Sequence, residues 1–167
     1  VFLGHPAYSL SVVLFSLILT TGIGSFVSER IPLDTDRKLA AWAILTAVYV
    51  ATLPLWMPAA LMTVETSGIL ARALVSTLVI APAGILMGYG FPTGMRLVRA
   101  HDERPTPWFW GINGAAGVLA SVVAVAMSIA FGIHVTLIVG AVCYAALIPA
   151  AAMIRRPETS RRAAVTA

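Results

Sequence analysis

The chain has 167 residues, of which 59% are hydrophobic and only 11% charged, with a net charge of +4. A water-exposed globule of this length is about a quarter charged, so this composition excludes an ordinary soluble domain. One cysteine, Cys143, excludes an internal disulfide, and in its apolar setting it reads as a small packing residue.

Five long apolar runs account for the missing charge. A bilayer core needs about 20 apolar residues per helical span. The runs are Ala7 to Val27, Leu39 to Met62, Ile69 to Tyr89, Trp108 to Phe131 and Val135 to Ile154. They are too long for buried strands of about 4–8 residues. The predicted fold is therefore an all-α integral membrane protein with about five transmembrane helices. Residues 1–154 form the bundle and 155–167 a basic cytoplasmic tail. The opening at Val1, with neither Met nor a basic leader, reads as an ordered fragment of a longer chain rather than a signal peptide.

Between the first two runs lies "SERIPLDTDRKLA", Ser28 to Ala40, a solvated connection in which Asp36 is the expected helix N-cap. The second run contains Pro54 and Pro58, so its helix is expected to kink at Pro54 or end near it. The third run ends in "MGYGFPTGMRLVRA". Gly90 and Pro92 read as a hinge there, and a short interfacial helix is expected from Pro92 to Ala100. It would keep Met95, Leu97 and Val98 near the membrane while Arg96 and Arg99 snorkel to head groups. Past Ile154 the chain turns polar, and Pro157 opposes further helix, which predicts a mobile tail.

The fourth run, "WFWGINGAAGVLASVVAVAMS", carries small residues at helical spacing. Gly114, Gly117, Ser121, Ala124 and Ser128 fall on one face, with Ala116 and Ala120 in the adjoining row. Membrane helices associate by close backbone approach, which small residues permit. This helix is therefore expected at the centre of the bundle, gripped on that face. Asn113, one turn inside, reads as a polar contact to the backbone near Gly90 and Phe91, to a neighbouring helix, or to a ligand.

Orientation follows from the eleven Lys and Arg residues. All but Arg72 fall on one side of the alternating spans, and that side is cytoplasmic by the positive-inside rule. The N-terminus is then outside and the C-terminus inside. Trp42, Tyr89, Trp108 and Trp110 fall at the cytoplasmic interface, with Tyr8 and Trp56 near the outer one. The basic residues are topogenic and can touch anionic lipid heads at about 1 kcal/mol each. They do not indicate nucleic acid.

Catalytic chemistry needs convergent titratable or metal-binding groups. His5 and His134 would lie outside and His101 inside, so no histidine cluster forms a metal site. Acidic residues occur only in loops, caps and the tail. No catalytic, cofactor-binding or metal-binding residue is assigned, and no cofactor is expected.

Three stretches resemble a known family. "LGHPAYSLSVVLFSLILTTGIGSFVSER", "GYGFPTGMRL" and "WFWGINGAAGVLASVVAVAMSIAFG" resemble the C-terminal membrane half of bacterial spermidine-synthase-like integral membrane proteins. The resemblance spans about Leu3 to Ile154. It implies a bacterial inner-membrane module accompanying a soluble aminopropyltransferase-like domain. These 167 residues carry no Gly-rich turn after a strand and no acidic catalytic cluster, so no active-site residue carries over. The expected function is that of a non-catalytic anchor, scaffold or accessory subunit whose partners are lipids and other membrane subunits. The alternatives are half of a small-solute transporter, polyamines among the candidate solutes, or the membrane part of an aminopropyltransferase-like enzyme.

Overall fold

The computed structural model describes residues 5–100 and 104–166, and beyond Ile154 it describes the helical path alone. Six helices follow one another: α1 Pro6–Arg30, α2 Asp36–Met62, α3 Ile69–Gly88, α4 Gly90–Arg99, α5 Thr106–Phe131 and α6 Ile133–Thr166. No strand occurs among the described residues. Five helical stretches are long and apolar enough to cross a membrane: Pro6–Arg30, Asp36–Met62, Ile69–Arg99, Thr106–Phe131 and Ile133–Ile154. The fold is that of an all-α, multi-pass membrane protein. Most of each stretch faces outward, with 28% or less of its apolar window buried. Lipid, not water, solvates such a surface, because only there does exposed leucine cost nothing.

Helix order in space differs from order in sequence. α1 packs along α3, α3 also touches α2, α2 packs along α6, and α6 meets α5. The layer therefore runs α1, α3, α2, α6, α5. α4 touches α1, α3, α5 and α6, so it bridges both wings. Among the described residues α1 and α2 make no helix-to-helix contact, although only residues 31–35 separate them. The middle of that order is α2, held between α3 and α6, and the small-residue-rich fourth run, α5, lies at one edge.

The α1–α3 seam is built from small residues. Ser16, Thr20, Gly24 and Ser28 recur every fourth residue on α1 and are all buried. They meet Gly84 and Gly88 of α3. A Cβ on Gly24 would fall on the Ile85 backbone, one on Gly84 on the Thr20 side chain, and one on Gly88 on the backbone of Thr21 and Ser25. The two backbones are as close as glycine allows, which is how membrane helices gain dispersion contacts without a hydrophobic drive.

Polar groups in this seam are matched internally, as a hydrocarbon surround demands. Ser16 Oγ donates to the Val12 carbonyl at 2.7 Å and lies 2.9 Å from Thr77 Oγ1. Having one proton, Ser16 spends it on Val12, so Thr77 is the donor across the interface. Thr20 Oγ1 donates to the Ser16 carbonyl at 2.6 Å and Ser28 Oγ to that of Ser25 at 2.6 Å.

α2 holds the other side of α3 through two aromatic donors. Trp42 Nε1 donates to the Leu86 carbonyl at 2.8 Å, and Tyr49 Oη to the Val79 carbonyl at 2.7 Å. Leu86 lies in the last turn of α3, and its carbonyl also accepts from the Tyr89 N–H at 3.3 Å. Pro82 leaves the carbonyl of Leu78, the residue before Val79, without its helical donor. Trp42 also meets Tyr144 of α6 edge-on, with ring centroids 6.0 Å apart. Trp42 was expected in the interfacial belt; it is buried and links α2, α3 and α6 instead.

Several local expectations are corrected. The N-cap of α2 is Thr35, whose extended backbone lets its hydroxyl accept from the Lys38 N–H; Asp36 is the first helical residue, where its charge still suits the helix dipole. α2 neither ends at Pro54 nor stops before Pro58 but continues to Met62, since membrane helices tolerate proline better than soluble ones. α6 continues past Pro157 to Thr166, because one lost backbone bond does not outweigh flanking helix formers such as Arg, Glu and Ala. Cys143 is exposed rather than packed.

α5 and α6 are joined by Gly132 alone, at φ 85° and ψ 160°. That backbone region is open essentially to glycine only, and it reverses the chain in a single residue. Ser128 Oγ and Thr136 Oγ1, 2.9 Å apart, close the hairpin on either side of it.

Candidate functional site: an open fifth helix and a basic end

α5 is the outlying span. Among the described residues it touches only α6 and α4, and none of its residues is buried. The expectation that its small face is gripped inside the bundle is therefore corrected. Gly114, Gly117 and Ser121 are exposed, and Ala124 and Ser128 are partly covered near the Gly132 hairpin. A Cβ added at Gly111, Gly114 or Gly117 would meet nothing within 4 Å. The spacing is suited to close packing, but this chain supplies no matching ridge opposite it.

Asn113 is exposed and makes no hydrogen bond among the described residues; its expected bond to the backbone near Gly90 and Phe91 is not formed. The contact there is aromatic. Phe91 of α4 and Trp110 of α5 meet edge-on with centroids 4.6 Å apart. α5 is thus fixed at one end by the hairpin and at the other by this ring pair, with Asn113, Gly114 and Gly117 open between them.

Gly90 and Pro92 were read as a hinge. α3 and α4 are separated by Tyr89 only, which keeps right-handed helical angles of φ −71° and ψ −25°. Gly90 sits under the Trp42 ring, which would lie 3.8 Å from an added Cβ, in ordinary contact. The pair therefore sits in a near-continuous helix that runs beside the indole with room for a Cβ. The short helix itself begins two residues earlier than expected and ends one earlier.

Sequence reasoning missed the packed face of α1. The signal was present as Ser16, Thr20, Gly24 and Ser28, four residues apart, with Gly84 and Gly88 as the complementary pair. It missed the anchoring role of Trp42 and Tyr49 as well. Nothing in hydropathy reports where an indole N–H points.

One end of the bundle collects Arg30, Arg37, Lys38, Arg96, Arg99 and Arg104, while Arg72 lies at the other, where its guanidinium donates to the Glu65 carbonyl at 2.7 Å. Arg30 stacks over Phe26, 4.5 Å from the ring centroid. Lys38 pairs with Asp34 at 2.8 Å. The hydrogen bond from the Lys38 ammonium holds the Asp34 carboxyl below its ordinary value. Both groups are solvated, so the pair adds little stability. Among the described residues no group of three His, Cys, Asp or Glu side chains is arranged to hold a metal ion. His101, Asp102 and Glu103 lie outside the described residues.

No protein-family model, curated protein or solved structure matches this chain.

Proposed function

We propose that the chain is a non-catalytic membrane module that anchors or scaffolds a larger assembly in a bacterial cytoplasmic membrane, with α5 as the face toward its partner. The openness of α5 supports this reading: it is a full span with no buried residue, carrying glycines where a second helix can approach closely. Polar side chains of the inner helices are used in packing. Ser16, Thr20, Trp42, Thr46 and Tyr49 all give their protons to backbone carbonyls of the bundle. The resemblance to spermidine-synthase-like membrane proteins agrees with a module that works beside a separate soluble domain.

Gly117→Leu tests the proposal. A Cβ there meets nothing within 4 Å, so melting in detergent should stay near the parent. Copurification of partner subunits in mild detergent should fall. Unchanged copurification with a confirmed leucine would remove α5 as the assembly face.

The module is oriented with its basic end in the cytoplasm. In intact cells an impermeant thiol reagent should label a cysteine placed at Glu65, in a Cys143→Ser background, and spare one at Arg37. The opposite pattern inverts the topology.

A further inference from the structure

We propose that α4 and the start of α5 form a binding site for the phosphate of an anionic phospholipid, held by Arg96 and Arg99. The inference rests on the membrane fold and is independent of the scaffold reading.

Depth comes first. α3 has 20 residues, which is about 30 Å of helix and equals the hydrocarbon thickness. α4 follows after Tyr89, and with α3 close to upright it begins where hydrocarbon gives way to head groups. The exposed indoles of Trp108 and Trp110, 74% and 57% accessible, mark the same level on α5.

Chemistry comes second. α4 is two-sided. Thr93 and Met95 are buried against the bundle, and Phe91 locks onto Trp110. Arg96 and Arg99, three residues apart, are neighbours on the helix surface. Arg96, partly exposed, gives one N–H to Thr93 Oγ1 at 3.3 Å, which steadies the guanidinium and uses one of its five donors. Arg99 is exposed in the last turn. Two planar forks side by side match the oxygens of a phosphodiester better than ammonium groups would. A zwitterionic lipid carries the same phosphate with its own cation attached, so the pair favours a lipid with net negative charge. The charges at the other corner are engaged differently, Arg30 over Phe26 and Lys38 on Asp34. On α4 the two arginines lie about one helical turn apart, a spacing that suits a lipid phosphate.

The test is native mass spectrometry of the chain released from micelles holding equal phosphatidylglycerol and phosphatidylcholine. The parent should retain phosphatidylglycerol in preference. R96Q/R99Q should lower the retained ratio about fivefold or more. R37Q/K38Q removes the same charge at the same membrane end and should leave the ratio unchanged. R96K/R99K keeps charge and fold but loses the planar forks, and should give a smaller drop in the same direction. No preference in the parent, or equal loss in the two glutamine pairs, overturns the site in favour of diffuse surface attraction. An unchanged ratio in R96K/R99K overturns recognition by the guanidinium forks.

Discussion

Gly24→Leu should detach α1 from the bundle. A Cβ at this position lands on the Ile85 backbone, with the Ile85 Cα 2.9 Å away. Backbone cannot swing aside as a side chain can, so the whole helix must move. Overpacking typically costs about 1–3 kcal/mol and occasionally more, and the upper end applies here because separation also breaks the Ser16–Thr77 bond. α1 has little else to hold it, since α3 and α4 are its only helical contacts among the described residues. Gly22→Leu is the control. It adds the same side chain two residues earlier, where a Cβ meets nothing within 4 Å. Melting in detergent should fall sharply for Gly24→Leu and stay near the parent for Gly22→Leu. Disulfide trapping between cysteines placed at Ser16 and Thr77, in a Cys143→Ser background, should fail only in the former. Equal trapping and equal melting in the two variants would show that the seam is looser than the geometry indicates.

Trp42→Ala should cost about 3–5 kcal/mol, the usual range for a large buried aromatic. The indole fills the junction of α2 with α3 and α6 and packs over Gly90. Trp42→Phe separates two contributions. It keeps a smaller ring but removes the N–H to the Leu86 carbonyl together with the outer part of the indole, so the loss should be about 1–3 kcal/mol, below that of Ala. Thermal melting of the two variants reads the difference. Equal losses for Phe and Ala would show that a ring at this position adds nothing to the junction.

The five spans were legible because the bilayer imposes a length. A run of about 20 apolar residues has few alternatives, and Met62, Ile69 and Phe131 fall at helix ends as expected. The order of the helices was not legible. In lipid a helix can be apolar all round, so hydropathy carries no information about which side is covered. Only the spacing of small residues does, and two helices offered it. Gly114, Gly117 and Ser121 on α5 have no complementary ridge in this chain. Ser16, Thr20 and Gly24 on α1 have Gly84 and Gly88. A stripe of small residues predicts close packing only jointly with its partner, and the partner lies about sixty residues along the chain. The prolines misled for a related reason. Rules drawn from water-soluble helices treat Pro54 and Pro157 as stops, whereas both helices run through them.

The spatial order α1, α3, α2, α6, α5 also bears on how the protein is made. Spans that enter a bilayer one after another ordinarily pair as they arrive. Here α1 and α2 arrive together and share no contact. Each must wait for α3, which then slides between them, its glycines to one and its carbonyls to the other. Until α3 is inserted, the hydroxyls of Ser16 and Thr20 have only their own helix to bond, and the indole N–H of Trp42 has no acceptor from α3. The third span is thus the committing step of assembly. A chain halted after Met62 would hold two helices in the membrane with no contact to each other.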